Sequence, residues 1–278
     1  MSNLDLFLLM DDDRPVPQVP RIGEVRTRVA LPASRLPGLD YALNPYVGCA
    51  HDCLYCYAPY VTKRPRAEWT AVLARTDIPQ VLAKEIKGKK GMIGLGTVTD
   101  PYQEAKRHLL LTRRCLMEMV PHGLSVSVLT KSDLILRDLD LYKELKGEMG
   151  ITVTSVNDDI SRTLEPGAPL PGRRVAALSR MADQGLNAYA LVGPLLPLLT
   201  GRDVDEMVEA LSSAGIKWVM LDRFRPRPGM FDDIARRPGG EGIADRLEKA
   251  HRAEDYRGLE SLVRRKFTEK GIRCVNAF

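Results

Sequence analysis

The stretch LSVSVLTKSDLILRDLDLYKELKGEMGITVTSVND, residues 124–158, decides how this chain is read. Its opening, LSVSVLTKSD (124–133), is an apolar run closing on Lys131, Ser132 and Asp133, the profile of a buried strand with a polar end. Asp138 to Met149 then has helical periodicity, with Asp138 placed as an N-cap. ITVTSVND (151–158) returns to a buried strand. Strand, helix and strand make one crossover unit of a parallel sheet. Outward from it the alternation recurs. Upstream lie the strand GMIGLGTVTD (91–100) and a helix over Pro101–Val120, with Leu109, Leu110, Cys115, Leu116 and Met119 at helical spacing. Downstream come a helix from Pro171 to Gln184, stopped at Gly185, and the strand NAYALVGPLLP (187–197). A helix over Asp203–Ala214 ends at Gly215, and KWVMLDRF (217–224) is a further strand. At the front, LDYALNPYV (39–47) reads as an initial strand and Asp77–Lys87 as the first helix.

These β/α units, six in all, carry no Gly-rich dinucleotide fingerprint. They predict a partial (β/α)6 TIM-type barrel of parallel strands rather than a Rossmann sheet. After the turn RPRPGM (225–230) the pattern predicts a short C-terminal helical extension, and GIRCVNAF (271–278) has the look of one more strand. The expected layout is an N-terminal tail over 1–38, the barrel over 39–224, and an extension over 225–278 packed on it. In such barrels function sits at the C-terminal strand ends. Those ends supply Thr97, Thr99 and Asp100, then Lys131 and Ser132, then Ser155, Asn157 and Asp158, then Pro194, then Asp222 and Arg223.

The 278 residues suffice for one such barrel, and 44% hydrophobic with 28% charged residues is an ordinary globular balance. A net charge of +5 permits a nucleic acid or another anionic partner without demanding one. The 5 cysteines are odd in number and three are clustered, a poor disulfide framework and a good metal site. That usage predicts a reducing, cytoplasmic location. No apolar run is long enough to cross a membrane. The opening MSNLDLFLLMDDDRPVPQVP lacks a basic start and a cleavage site, so it predicts an extended, disordered lead-in rather than a signal peptide, with a docking role for Leu6 to Met10 as the alternative.

The segment NPYVGCAHDCLYCYAP (44–59) spaces Cys49, Cys53 and Cys56 as C-x3-C-x2-C. Three thiolates on a short loop can bind three irons of a 4Fe–4S cube. The fourth iron is then open to a small molecule offering an amine and a carboxylate. Gly48 lets the backbone approach the cluster. Three alternatives stand beside this reading. Zinc requires a fourth ligand, and His51, lying between two of the cysteines, is badly placed to share one metal with both. An electron-transfer cluster could take a fourth cysteine from Cys115 or Cys274. The cysteines could also be structural.

This loop, set after an initial strand and before further α/β alternation, resembles the radical S-adenosylmethionine (SAM) superfamily. NPYVGCAHDCLYCYAPY, GTVTDPYQ, TKSDLILRDLDL and LEPGAPLPGRR are together similar to its spore photoproduct lyase-like subfamily, over about Tyr41 to Phe224. The resemblance implies a 4Fe–4S cluster on Cys49, Cys53 and Cys56, with SAM as the second cofactor. It implies a low-potential electron donor, ferredoxin or flavodoxin, and reductive cleavage of SAM to a 5′-deoxyadenosyl radical. Tyr55 falls where the family places an aromatic residue beside adenine, and Tyr57 follows the last cysteine as in the lyases. Thr97, Thr99 and Asp100 take the place of a motif that contacts the methionine ammonium. Lys131 is matched to the methionine carboxylate, Ser155 and Asn157 to the ribose, and Val192 with Pro194 to adenine. Glu165 and Arg173 flank a loop lining the site. In the lyases a cysteine near the end of the second strand returns a hydrogen atom to the product. That position falls here on Thr97, whose O–H bond is too strong to serve. Cys274 is the remaining candidate for a catalytic thiol, and Cys115 is expected in the core. A nucleic-acid substrate is suggested by Arg223, Arg225, Arg227, Arg236 and Arg237, expected near the barrel mouth. A small molecule or peptide, or a non-catalytic iron–sulfur or zinc protein, are the competing readings.

Overall fold

The computed structural model describes residues 23–104, 109–253 and 256–277. The first described elements are β1 (Gly23–Glu24), β2 (Tyr41–Leu43) and β3 (Tyr46–Val47). The predicted single strand over 39–47 is thus divided. Pro45 has no N–H to give to a ladder, and the two halves enter different sheets. Next come α1 (Ala58–Val61), α2 (Arg66–Trp69), β4 (Leu73–Ala74) and α3 (Ile78–Glu85). The strands β1, β4 and β3 form a small sheet beside the main one.

The main body alternates as predicted: β5 (Met92–Leu95), α4 (Leu111–Met119), β6 (Ser125–Thr130), α5 (Leu139–Glu144), β7 (Lys146–Thr152), α6 (Asp158–Leu164) and α7 (Pro171–Asp183). It continues through β8 (Ala188–Leu195), α8 (Gly201–Ser213) and β9 (Trp218–Arg223). Three helices follow, α9 (Met230–Ala235), α10 (Gly240–Arg252) and α11 (Tyr256–Glu269), and then β10 (Arg273–Asn276). The sheet has seven parallel strands in the order β10-β9-β8-β7-β6-β5-β2, an open arrangement in which, among the described residues, β2 and β10 do not pair. Ile93, Val128, Ile151, Ala190 and Val219 of the strands pack with Leu116, Leu178, Leu211 and Phe267 of the helices in one buried core.

Four expectations are corrected. The helix predicted over Asp138–Met149 stops at Glu144, because Lys146 to Met149 belong to β7. Gly147 there has φ +146°, and a Cβ would collide with the Val126 carbonyl of β6, so the close pairing of the two strands depends on glycine. Asp138 does not cap α5 with its side chain; its carboxylate takes hydrogen bonds from Arg137, Arg113 and the Tyr102 hydroxyl. The strand predicted over 151–158 ends at Thr152, and Asn157 starts α6 by accepting from the N–H groups of Asp159 and Ile160. The tail predicted over 1–38 is anchored over its described part. There β1 pairs with β4, Thr27 donates to Asp77, and the N–H groups of Ala30 and Leu31 donate to Glu85. Residues 1–22, with the docking patch at Leu6–Met10, lie outside the described residues. The extension supplies a seventh strand as well as helices.

Candidate functional site

The cysteine loop runs out of β3 and is tied down on several sides. Gly48 has φ +86°, and a Cβ there would run into the Trp69 carbonyl. The Cys49 N–H donates to that same carbonyl at 3.0 Å. The Thr99 hydroxyl donates to the Gly48 carbonyl at 2.5 Å, and Gln103 supports it from below, giving Nε2–H to Thr99 and taking the Ala50 N–H on Oε1. From the far side, Leu54 N–H donates to the Leu164 carbonyl and Gly167 N–H to the His51 carbonyl. A Cβ on Gly167 would strike the Ala50 carbonyl, so only glycine permits this approach. Asp52, with φ +47°, is held by Arg66 on its carbonyl and Oδ1 and by Arg237 on Oδ2.

Cys49, Cys53 and Cys56 form no disulfide; Cys53 is buried and the other two half-buried. Burial pushes all three thiols up. Cys49 lies well above the usual thiol range, with Asp100 and its two sister cysteines adding to the rise. Cys53 reaches about 12, mainly through burial and against the pull of Lys131. Among the described residues no three His, Cys, Asp or Glu side chains converge closely enough to share one metal ion. A 4Fe–4S cube requires no such convergence, since each thiolate meets its own iron. Three thiols outside any disulfide and a backbone cradle closed by Gly48 and Gly167 suit such a cube.

His51 lies in the same loop and is 2% exposed. Its Nδ1 is 3.3 Å from Asp100 Oδ2. Its Nε2 is sealed from solvent and meets no hydrogen-bond partner among the described residues.

A second buried group stands beside the loop. Glu165 receives Arg174 at 2.5 Å, the Thr154 hydroxyl at 2.9 Å, the Ser161 hydroxyl at 3.2 Å and the Tyr55 hydroxyl. Lys131 Nζ lies 4.0 Å from Glu165 and 5.5 Å from the centre of the Tyr55 ring. Burial alone would raise the Glu165 carboxyl, but Arg174 and Lys131 outweigh it and hold it at about 2. Arg174 is 0% exposed and also donates to the carbonyls of Pro169 and Thr152.

The remaining expected residues are distributed as follows. Tyr55 and Lys131 meet at Glu165, the first through its hydroxyl and the second at 4.0 Å. Tyr57 is 42% exposed, and its hydroxyl donates to the Thr97 carbonyl at 2.5 Å. Thr97 Oγ1 accepts from Asn44 at 3.0 Å. Ser155 Oγ accepts the Asn157 N–H, and Val192 and Pro194 lie on β8, where the Gly193 carbonyl accepts from Thr154. Asp100, expected to meet the methionine ammonium, makes its contacts within the fold. Its oxygens take the Tyr102 N–H, the Thr130 hydroxyl, the Lys131 N–H and His51, the four places a carboxylate has to offer. Thr99 is likewise spent on Gly48, and the Asn157 side-chain oxygen on capping α6. Arg173 pairs with Asp133. Cys115 is fully buried on α4. Cys274 sits on β10 opposite Val219, near the start of β9, and shares a face with Asn276, which bonds Arg264 of α11. Sequence reasoning set His51 aside and missed Arg174, Gln103 and Asp52; the one available signal was the His-Asp pair between the first two cysteines.

The Radical SAM superfamily profile matches residues 43–212, a span holding every strand from β3 to β8 and all three loop cysteines. The chain belongs to that superfamily and is an enzyme of the radical SAM class. An uncharacterized protein of Methanocaldococcus jannaschii is 31% identical over 180 residues, covering 63% of this chain and 68% of that protein. An uncharacterized protein of Mycobacterium tuberculosis is 32% identical over 203 residues, and the chain spans only 59% of its length. In fold the chain is similar to spore photoproduct lyase complexed with dinucleoside spore photoproduct. That match has TM-score 0.64 and 16% identity, over 91% of this chain and 80% of the lyase. It is also similar to Streptococcus suis SuiB bound to S-adenosylmethionine, with TM-score 0.56 and 11% identity, over 84% of this chain and 49% of SuiB.

Proposed function

We propose that Cys49, Cys53 and Cys56 hold a 4Fe–4S cluster whose fourth iron receives SAM, and that the enzyme takes a hydrogen atom from an organic substrate. The observation that carries this reading is the clamped loop of three unpaired thiols at the C-terminal ends of the parallel strands, where barrel chemistry is placed. When bound and reduced, the cluster supplies the electron that parts the sulfonium C5′–S bond, leaving methionine and a 5′-deoxyadenosyl radical. Lys131, fixed by Glu165, offers its ammonium to the methionine carboxylate. Ser155 offers a hydroxyl to the ribose, and the β8 backbone at Val192 and Pro194 offers carbonyl groups to adenine. The electron comes from a low-potential carrier of the ferredoxin or flavodoxin type.

The test is anaerobic reconstitution with iron, sulfide, dithionite and SAM. Wild-type protein is expected to form 5′-deoxyadenosine, and Cys49→Ala, Cys53→Ala and Cys56→Ala to form none. An intact cluster without 5′-deoxyadenosine overturns the reading; one zinc per chain without iron replaces it with a zinc site.

A nucleic-acid substrate is the second reading, favoured by arginines lying over tyrosines. Arg223 stands 4.7 Å from the Tyr256 ring and Arg227 5.9 Å from that of Tyr60, which is exposed. Such pairs stack on bases. The other three arginines are engaged by acids: Arg225 by Asp222, Arg236 by Asp233 and Arg237 by Asp52. Repair of the photoproduct-lyase type wants a thiol donor, which Thr97 does not supply. Salt-sensitive binding of DNA or RNA supports this substrate class; its absence moves a small molecule or peptide ahead.

A further inference from the structure

We propose that the face formed by α1, the turn after it and α9 is the docking surface for an acidic one-electron carrier, which passes its electron to the cluster through the cysteine loop. This rests on the cluster proposed for Cys49, Cys53 and Cys56. Three of the five large apolar side chains exposed among the described residues, Tyr57, Tyr60 and Val61, follow Cys56 within five positions, and Val61 is 58% exposed. They lie on α1 or at its N-terminal boundary, so the chain runs straight from a cluster ligand to this surface. Opposite stands the segment that enters and leaves α9. The two sides meet at two points. Tyr60 gives its hydroxyl to the Pro228 carbonyl at 3.4 Å, and Arg66 and Arg237 both hold Asp52. Between them a cleft of about 390 Å³ is lined by Arg66, Arg236, Arg237 and Asp233, with Asp52 and Leu54 in its wall. Asp52 and Leu54 bracket Cys53, so the cleft ends on the cysteine loop itself. Burial raises the Cys56 thiol, and the Arg66 charge is among those that pull against it, which puts the cleft within electrostatic reach of a cluster ligand. Charge selects the partner. Over 52–70 and 227–237 six Lys and Arg stand against four Asp and Glu, and two of those acids, Asp52 and Asp233, are already taken by arginines. Lys63 and Arg64 have no acidic partner among the described residues; Arg64 gives only to the Ala71 carbonyl. An apolar centre at Tyr60 and Val61 inside this cationic rim suits a small, transient encounter with an acidic protein. The aliphatic Val61 offers nothing to a phosphate backbone. In the encounter the carrier loses one electron and the cluster gains it.

The experiment compares 5′-deoxyadenosine formation by reconstituted wild type and the double variant Lys63→Glu, Arg64→Glu under two reductants: excess dithionite, and flavodoxin kept reduced by NADPH and its reductase. The double variant is expected to match wild type with dithionite. With subsaturating flavodoxin at low salt it is expected to be about tenfold slower, the two rates converging as salt screens the charges. Val61→Ser is expected to raise the flavodoxin concentration needed for half-maximal rate and to leave the dithionite rate unchanged. Equal flavodoxin-driven rates in wild type and double variant overturn the proposal. So does an equal fall under both reductants, which marks the face as a support for the cluster, and so does a wild type that dithionite drives and flavodoxin does not. Carbodiimide coupling of wild type to flavodoxin gives a readout independent of turnover. Peptides joined through Lys63 support the surface; coupling only through lysines elsewhere overturns it. DNA binding that falls in the double variant while flavodoxin-driven rates hold makes the face a nucleic-acid surface and overturns the proposal. If wild type forms no 5′-deoxyadenosine with dithionite, the functional reading fails and this inference fails with it; product from dithionite with no flavodoxin difference overturns this inference alone.

Discussion

Glu165 is the residue on which the buried polar cluster closes. Its oxygens serve Arg174, Tyr55, Thr154 and Ser161, and Arg174 is sealed from water. Removing one charge from such a pair leaves the other uncompensated. Glu165→Gln is expected to cost about 3–5 kcal/mol of unfolding free energy, read by urea denaturation, while Arg174→Met with Glu165→Gln recovers part of the loss. Glu165 and Asp100 are both held at about 2, against an unfolded value of about 4. A lowered carboxyl stabilises above the unfolded pKa, so the folded state is expected to lose stability as pH falls from about 4 toward 2. Cys53 has the opposite sense. Raised to about 12 by burial, it favours the folded, metal-free protein below the usual thiol pKa of about 8.5 and ceases to do so as pH rises toward 12. The same three thiols must shed their protons to bind iron. Iron affinity of the metal-free protein is therefore expected to climb with pH, by competition with a chelator, with release of about three protons.

At the scale of elements, the strands were the most legible part of the sequence. Apolar runs at 91–100, 124–133, 187–197 and 217–224 each contain a strand of the sheet, because a strand covered on both faces is apolar throughout. What misled were local exceptions. KGEMG has helix-forming lysine and glutamate, yet pairing with β6 and the tight fit of Gly147 make it strand. The helix α6 is short and is set by the Asn157 cap rather than by periodicity, so its pattern was too brief to read. The three thiols were legible because their spacing alone carries the chemistry. The scaffold roles of Asp100 and Thr99 were not, since a polar strand end looks the same whether it meets a ligand or its own backbone. Gly48 was expected to let the backbone approach the cluster; the close approach in the structure is to the Trp69 carbonyl. Gly48→Ala places a side chain at φ +86° against that carbonyl. It is expected to destabilise the protein by at least about 1–2 kcal/mol and to speed iron loss to a chelator.

At the scale of the molecule, the extension after β9 is both part of the sheet and a support for the cysteine loop. β10 adds in parallel to β9, and Arg237 reaches back to Asp52 between the first two cysteines. Arg237→Ala is expected to leave the secondary structure by circular dichroism unchanged and to raise the rate of iron release to a chelator several-fold. An unchanged release rate would show that Arg66 alone holds Asp52.

The clasp on Asp52 also has a meaning in time. The cysteines are made early, the Leu164 and Gly167 contacts later, and Arg237 later still. At roughly 5–20 residues per second, the chain between Cys56 and Arg237 takes on the order of ten to forty seconds to synthesise. Late in that interval the nascent loop has its thiols and its partners Arg66, Trp69, Thr99 and Gln103, but not yet Arg237. A cluster of the proposed kind, if inserted then, would meet a loop that the Arg237 contact has yet to close.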